Sequence, residues 1–163
     1  MRADAKNARQ TDADSAAPAV ILHGLAQARW ALSKAGPAGV LLLSAPGAAG
    51  YAGAAWFLAV VAQAGEDFPA ARCRAALDCG DAPGLALGAI RAGARTVILD
   101  PACPAFAAVA AAAEEAGVGL WDAAPVALDM AALDPKRRAD HARLAAWLSA
   151  IGSPREAGMS DPG

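Results

Sequence analysis

The amino-acid sequence predicts an α/β protein built on a mainly parallel sheet of four or five strands, with helices on both faces. Short apolar runs alternate along the chain with helix-like stretches, which is the pattern of strand–helix–strand units. The apolar runs, such as GVLLLS at 39–44, lack polar alternation, which is typical of strands covered on both faces. With 163 residues, of which 56% are hydrophobic and 18% charged, the chain fits one domain with a substantial core.

Glycine, proline and the spacing of apolar residues place the elements in order. Strands are predicted at 19–23, 39–44, 73–77, 96–99 and 118–121, and helices at 25–35, 51–64, 81–92, 104–117 and 135–151. The helix after the third strand shows the signals most fully. Asp81 is its predicted N-cap, Pro83 lies in its first turn, and Gly93 ends it.

Three segments are predicted to lie outside regular structure. Residues 1–18 are polar and mixed in charge, which predicts a disordered leader, and residues 152–163 are expected to form a flexible tail. The single α/β domain then spans 19–151, with an irregular stretch at 123–134 before the last helix. That helix is expected to dock on the domain by an apolar stripe of Leu144, Trp147, Leu148 and Ile151.

Trp30 is predicted to face away from the apolar side of the first helix. At about 100° per residue, Leu25 and Leu32 share one side of this helix, and Trp30 falls on the other. The tryptophan is therefore either part of a contact surface or covered by the leader or a neighbouring loop.

Composition and charge exclude several classes of function. The net charge is −2 and the sequence has no long basic run, so a nucleic-acid partner is not expected. The apolar runs are shorter than the about 18 residues that a membrane span needs, and the N-terminus lacks the apolar core of a secretory signal. Three cysteines without paired spacing are expected to be free thiols, which favours the cytoplasm.

Every predicted strand ends on a polar or ionisable residue. These residues are His23, Ser44, Asp78 with Cys79, Asp100 and Asp122. Ligands of parallel α/β proteins bind beyond the carboxyl ends of strands, so a shared rim would make Asp78 and Asp100 candidate acid/base groups and Cys79 a candidate metal ligand. Capping of the following helices and turn formation is the commoner role for such residues, and it remains the alternative.

A glycine-rich turn after the second predicted strand is the other candidate site. Ser44, Gly47, Gly50 and Gly53 could present backbone N–H groups to a small phosphorylated ligand. The turn lacks the Gly-Lys-Ser/Thr of a P-loop and does not read G-x-G-x-x-G, so close helix–strand packing is the alternative explanation.

The order of these segments resembles the N-terminal part of the class II fructose-bisphosphate aldolases, which are zinc-dependent (β/α)₈ barrels. That family has a Ser-x-Gly-Ala-x-x-Tyr-x-Gly stretch, and Ser44, Gly47, Ala48, Tyr51 and Gly53 follow a similar pattern with one additional residue between Ser and Gly. The family then has a strand ending His-x-Asp-His-Gly, where this chain reads Ala-Leu-Asp-Cys-Gly at 76–80. The resemblance covers residues 20–122, which would be five of eight barrel strands.

The resemblance carries the family's catalytic aspartate onto Asp78 and its first zinc-binding histidine onto Cys79. The earlier histidine is Ala76, and Trp121 and Asp122 stand where the family's glutamate is expected. The fold is therefore expected to be either an open, doubly wound sheet of the Rossmann or flavodoxin type or a partial TIM barrel. A five-stranded piece of a barrel leaves edge strands exposed, so we also expect a homodimer.

Two functions follow from these observations. The first is a non-catalytic binding or assembly module related to barrel fragments. The alternative is a small enzyme of lyase or aldolase type that binds a sugar phosphate or a metal at the strand-end rim.

Overall fold

The structure, a computed structural model, describes residues 17–150. Its elements are β1 (Ala19–Leu22), α1 (Leu25–Ser33), β2 (Val40–Ser44), α2 (Ala48–Tyr51), α3 (Ala54–Asp67), β3 (Cys73–Asp78), α4 (Pro83–Arg91), β4 (Thr96–Ile98), α5 (Phe106–Ala116), β5 (Gly119–Trp121), β6 (Ala127–Asp129), a 3₁₀ turn (Met130–Ala132) and α6 (Arg138–Ser149). The five predicted strands and five predicted helices are all present, and their bounds agree within about three residues.

The strands form one parallel sheet in the order β5-β4-β3-β2-β1-β6, which confirms the predicted α/β class. The sheet has six strands rather than four or five. The additional strand, β6, lies in the segment 123–134 that was expected to be irregular, and it pairs Ala127 with Ala19 of β1. Its three residues, Ala-Leu-Asp, carry neither β-branched nor aromatic side chains, so nothing in the sequence marked them as a strand.

The helices pack against one face of the sheet, although the sequence predicted them on both. Each strand from β1 to β5 lies beside the preceding one, so right-handed crossovers place α1, α3, α4 and α5 on the same side. Two core clusters bear this out. Val20 and Leu42 pack with helix residues of α1, α3 and α6, and Leu77 and Val97 pack with residues of α3, α4 and α5.

The other face of the sheet curves around a third apolar cluster made almost entirely of strand residues. The edge strands β5 and β6 are joined by only five residues, 122–126. Six residue steps reach about 21 Å at most, whereas a flat six-stranded sheet would separate its edges by about 24 Å. The sheet therefore curls, and Trp121 of one edge and Ala127 of the other pack against the same cluster around Leu41 and Leu43.

Helix α6 docks against α1 and the start of β1, as its apolar stripe predicts. Leu144 and Leu148 are buried, and the Trp147 ring N–H donates to the backbone oxygen of Ala19 at 2.8 Å. Trp30 is half-buried against the core cluster formed by α1, α3 and α6. Its ring N–H donates to His141 Nδ1 at 3.2 Å. Trp30 is therefore partly covered by helix α6, whereas the second predicted alternative had it covered by the leader or a loop.

The predicted leader and tail fall largely outside the described residues. The exception is the pair Ala17 and Pro18, which were assigned to the leader but belong to the fold. Ala17 is buried, and the Pro18 carbonyl accepts the backbone N–H of Leu41 at 3.0 Å. Ile151, the last residue of the predicted stripe, lies outside the described range. Between residues 17 and 150, no helix combines the length and apolar character that crossing a membrane demands.

Candidate functional site

Asp78 ties together the two loops that follow β2 and β3. Its Oδ1 accepts the backbone N–H of Gly47 at 2.9 Å and that of Gly80 at 2.8 Å. The Asp78 backbone N–H donates in turn to Ser44 Oγ at 2.9 Å, and the Ser44 hydroxyl is directed at the carbonyl of Ala45. A buried serine and a half-buried aspartate therefore fix the start of the rim, in the turn-forming role that is the commoner one for such residues.

The two glycines bound by Asp78 make the close approach of these loops possible. Gly47 and Gly80 have φ angles of 66° and 59°, in the left-handed region that side chains disfavour. A Cβ placed on Gly80 would lie 3.9 Å from the Gly47 Cα, so the loops are in contact. Gly50 packs against Leu85 of α4, and Gly53 precedes the first turn of α3. The four predicted ligand-binding residues thus have packing and turn-forming roles.

A cleft of about 500 Å³ opens at the carboxyl ends of β3, β4 and β5. Four aspartates line it: Asp78, Asp81, Asp100 and Asp122. The remaining lining residues are apolar or glycine, and none of them is basic. Neighbouring parallel strands thus bring three of the predicted strand-end carboxylates into one cleft, at the edge where ligands of parallel sheets bind.

The aspartates of the cleft differ in how much of their hydrogen-bonding capacity the fold uses. Asp100 Oδ1 accepts the backbone N–H of Ala102 at 2.8 Å, which closes a turn after β4. Asp81 was predicted to be the N-cap of α4, but Ala82 holds that position without a side-chain cap bond. Asp81 and Asp122 are exposed on the cleft instead.

Cys79 faces away from the cleft because successive side chains of an extended chain point to opposite faces of a sheet. Its thiol packs in the cluster between the sheet and α4, and it donates to the carbonyl of Leu77 at 3.8 Å. Burial, with a smaller effect from the nearby Asp78 charge, raises the pKa of Cys79 to about 11. Metal ligation requires the thiolate, which this environment disfavours.

The described part of the chain places no set of further metal ligands beside Cys79. Within residues 17–150, no three His, Cys, Asp or Glu side chains are placed to share a metal ion. The buried Cys103 packs in the cluster beneath α5, next to the sheet. The three cysteines are unpaired, as predicted.

His23 pairs with a residue that the sequence did not single out. Its Nε2 lies 2.8 Å from Asp129 Oδ1, at the ends of the neighbouring strands β1 and β6. Burial opposes the ionisation of Asp129, but hydrogen bonds from the Ala131 N–H and the His23 ring, together with the His23 charge, lower its pKa overall. Only the unpredicted pairing of β6 with β1 brings these residues together, so no local pattern could have identified them.

The strand-end residues therefore separate into three groups instead of meeting in one hollow. Asp78, Asp100 and Asp122 line the cleft, Ser44 and Cys79 are buried behind it, and His23 lies with Asp129 near the opposite edge of the sheet. No protein-family model matches the chain, and a comparison with curated proteins finds no relative.

Proposed function

We propose that the protein is a non-catalytic binding module that holds a small cationic ligand in the cleft at the carboxyl ends of β3, β4 and β5. The observation that carries the proposal is the lining of this cleft by four aspartates without a basic residue. Carboxylates spaced around a concave surface attract amines and guanidinium groups, and they accept several hydrogen bonds from them. An organic cation with more than one amino group fits this arrangement best.

The hydroxyl and thiol near the cleft are buried and two of its carboxylates already accept hydrogen bonds, which favours ligand binding over catalysis. Nucleophilic catalysis needs a hydroxyl or thiol beside a base that can take its proton. The Ser44 hydroxyl is buried against Ala45 and Asp78, and the pKa of Cys79 is raised to about 11. Oδ1 of Asp78 and Oδ1 of Asp100 are occupied by backbone N–H groups. These engagements leave the cleft suited to ligand recognition rather than to proton or acyl transfer.

The aldolase-like alternative receives less support from the same cleft. A sugar phosphate would bring negative charge toward four carboxylates, and repulsion would disfavour it. The consecutive order of β1 to β5 and the helices on one face resemble a stretch of a (β/α)₈ barrel, whereas β6 lies beside β1 and departs from it. We therefore keep descent from a barrel fragment as part of the proposal, without carrying over the aldolase's zinc or its substrate.

Titration with spermidine at low ionic strength tests the cationic-ligand proposal. The double variant Asp81→Asn/Asp122→Asn removes two exposed carboxylates of the cleft. We expect it to weaken spermidine binding severalfold, since each exposed ion pair contributes ~0.2–1 kcal/mol. Salt should weaken binding to the unaltered protein as well.

The variant Glu114→Gln/Glu115→Gln is the matched control, because it makes the same charge change at the far end of α5. It should bind spermidine as the unaltered protein does. Equal weakening by both double variants, or tighter binding of a phosphorylated sugar than of spermidine, would contradict the proposal.

Self-association is a second candidate function, and exposed apolar side chains on the rim favour it. Tyr51 is 71% exposed and Leu85 39%, and the two lie on helices α2 and α4, which touch where Gly50 packs against Leu85. A homodimer formed through this surface would cover both. Light scattering after gel filtration should give twice the chain mass, and Tyr51→Lys should lower it to the monomer value. A monomeric unaltered protein would end this second proposal.

A further inference from the structure

A second cavity, of about 390 Å³, lies at the end of the sheet opposite the aspartate-lined cleft. Its floor is formed by the first residues of β3 and β4, including Cys73, Ala75 and Thr96, and one wall is formed by Leu58 and Val61 of α3. The volume falls within the range of about 300–1,000 Å³ that is usual for small-molecule sites. We call this space the amino-end cavity.

The amino-end cavity is unusual because it uncovers part of the centre of the sheet. β3 is an inner strand, yet Cys73 and Ala75, which point toward the helices, are only partly buried. Their small side chains leave room above the strand. An ion pair between Asp67 and Arg29, at 2.6 Å, joins the C-terminal end of α3 to α1. The opening between α3 and β4 is therefore built into the packing.

The lining of the amino-end cavity combines apolar walls with positive charge at its edge. The partly exposed Leu58, Val61 and Ala75 contribute hydrocarbon surface, and the buried Phe57 and Leu77 lie behind them. Arg95 lies in the turn before β4, where it is exposed, and it supplies this charge. Arg74 lies between Cys73 and Ala75 on β3, so its side chain points to the opposite face of the sheet. None of the lining residues is acidic. A ligand with an apolar body and one negative group would match both parts, because the apolar body gains from leaving water and the anion from the guanidinium.

We propose that the amino-end cavity binds a small amphipathic carboxylate. The hydrocarbon or aryl part lies between α3 and the start of β3, and the carboxylate pairs with Arg95. This site is separate from the aspartate-lined cleft, which would repel the same ligand.

Calorimetric titration with decanoate, below its micelle-forming concentration, tests the proposal. Decanol and decyltrimethylammonium are the matched probes, since they keep the tail and replace the anion by a neutral or a positive group. We expect decanoate to bind at least fivefold more tightly than decanol, and decyltrimethylammonium to bind more weakly than both. Binding of all three with equal affinity would overturn the assignment to a carboxylate.

Two variants separate the roles of charge and volume. Arg95→Gln should weaken decanoate binding about fivefold and leave decanol binding unchanged. Ala75→Leu fills the cavity from its floor and should abolish binding of both probes, with the fold verified by circular dichroism. Asp122→Asn, in the other cleft, is the control and should leave decanoate affinity unchanged. Unaltered decanoate binding in both Arg95→Gln and Ala75→Leu would overturn the proposal.

A chemical readout covers the case in which Ala75→Leu does not fold. Of the three free cysteines, only Cys73 lines the cavity, whereas Cys79 and Cys103 are buried elsewhere. Decanoate should therefore slow the alkylation of Cys73 by iodoacetamide, as followed by peptide mass spectrometry, and decanol should slow it less. An alkylation rate that is the same with and without saturating decanoate would also overturn the proposal.

Discussion

The Asp78 carboxylate at the end of β3 accepts the backbone N–H of Gly47 at 2.9 Å, so one side chain holds the turn that follows the neighbouring strand. The same oxygen holds Gly80, two residues further along the chain. Sequence position suggested a catalytic residue, but the geometry supports a residue that shapes the rim. The two roles make different predictions for the loss of this carboxylate.

Replacing Asp78 by alanine should destabilise the protein. The change leaves the N–H groups of Gly47 and Gly80 without their acceptor in a half-buried position, and we expect a loss of about 1–3 kcal/mol in the free energy of unfolding. Asp78→Asn keeps an acceptor oxygen and should lose less. Urea denaturation followed by circular dichroism measures both. An Asp78→Ala protein as stable as the unaltered one would show that the carboxylate does not hold these loops.

The raised pKa of Cys79 predicts a loss of stability in alkaline solution. In the unfolded chain the thiol ionises near its ordinary pKa of 9.0, whereas in the folded protein it stays neutral up to about 11. The neutral Cys79 thiol therefore makes its full contribution to the free energy of unfolding below pH 9. This contribution is lost as the pH rises from about 9 to about 11. Two pKa units correspond to roughly 2–3 kcal/mol.

Comparison with Cys79→Ala isolates this effect from the other groups that titrate in the same range. The difference in unfolding free energy between the unaltered protein and Cys79→Ala should change between pH 8 and pH 11, in the sense that the unaltered protein loses more. Denaturation curves at four or five pH values are sufficient. Parallel pH profiles for the two proteins would contradict the prediction.

Local sequence patterns predicted the elements of the fold well because most of them are encoded within a few residues. The run VLLLS of β2 and the Pro83 and Gly93 signals around α4 act locally, although Asp81 is not the predicted cap. Strand β6 is different, since Ala127–Asp129 becomes a strand only by pairing with β1, more than a hundred residues earlier. The position of Trp30 likewise depends on α6, which no pattern within α1 reveals.

The candidate site was predictable only in part, for a related reason. Parallel strands place their carboxyl ends at one edge, which brought Asp78, Asp100 and Asp122 into one cleft as expected. The face of the sheet to which each residue points depends on whether it is an odd or an even number of residues from its neighbours along the strand. Cys79 directly follows Asp78, yet it lies on the opposite face, beneath α4. The pair of His23 and Asp129 depends on an edge strand that could not be foreseen.

Trp147 should anchor α6 through a hydrogen bond as well as by its apolar surface. Its ring N–H donates to the Ala19 carbonyl at the start of β1, at 2.8 Å. Trp147→Phe keeps most of the apolar surface and removes the donor, and we expect a loss of about 1 kcal/mol in the free energy of unfolding. Urea denaturation measures the change. Trp121→Phe is the comparison, and a loss for Trp147→Phe no larger than for Trp121→Phe would argue against the anchor.

The pair of His23 and Asp129 should make the edge strand β6 sensitive to acid. The pKa of Asp129 is lowered in the folded protein, so its contribution to stability is present above its ordinary pKa of 3.8 and is lost as the pH falls through the lower, folded value. Both side chains are partly exposed, at 39% for His23 and 48% for Asp129, so the effect should be small and weakened by salt. Hydrogen exchange at Leu128 reports on the pairing of β6 with β1 directly. Exchange there should accelerate in acid relative to the intrinsic rate in the unaltered protein, but much less in Asp129→Asn, which keeps an acceptor without a charge to lose. Equal acceleration in the two proteins would show that this carboxylate does not hold the edge of the sheet.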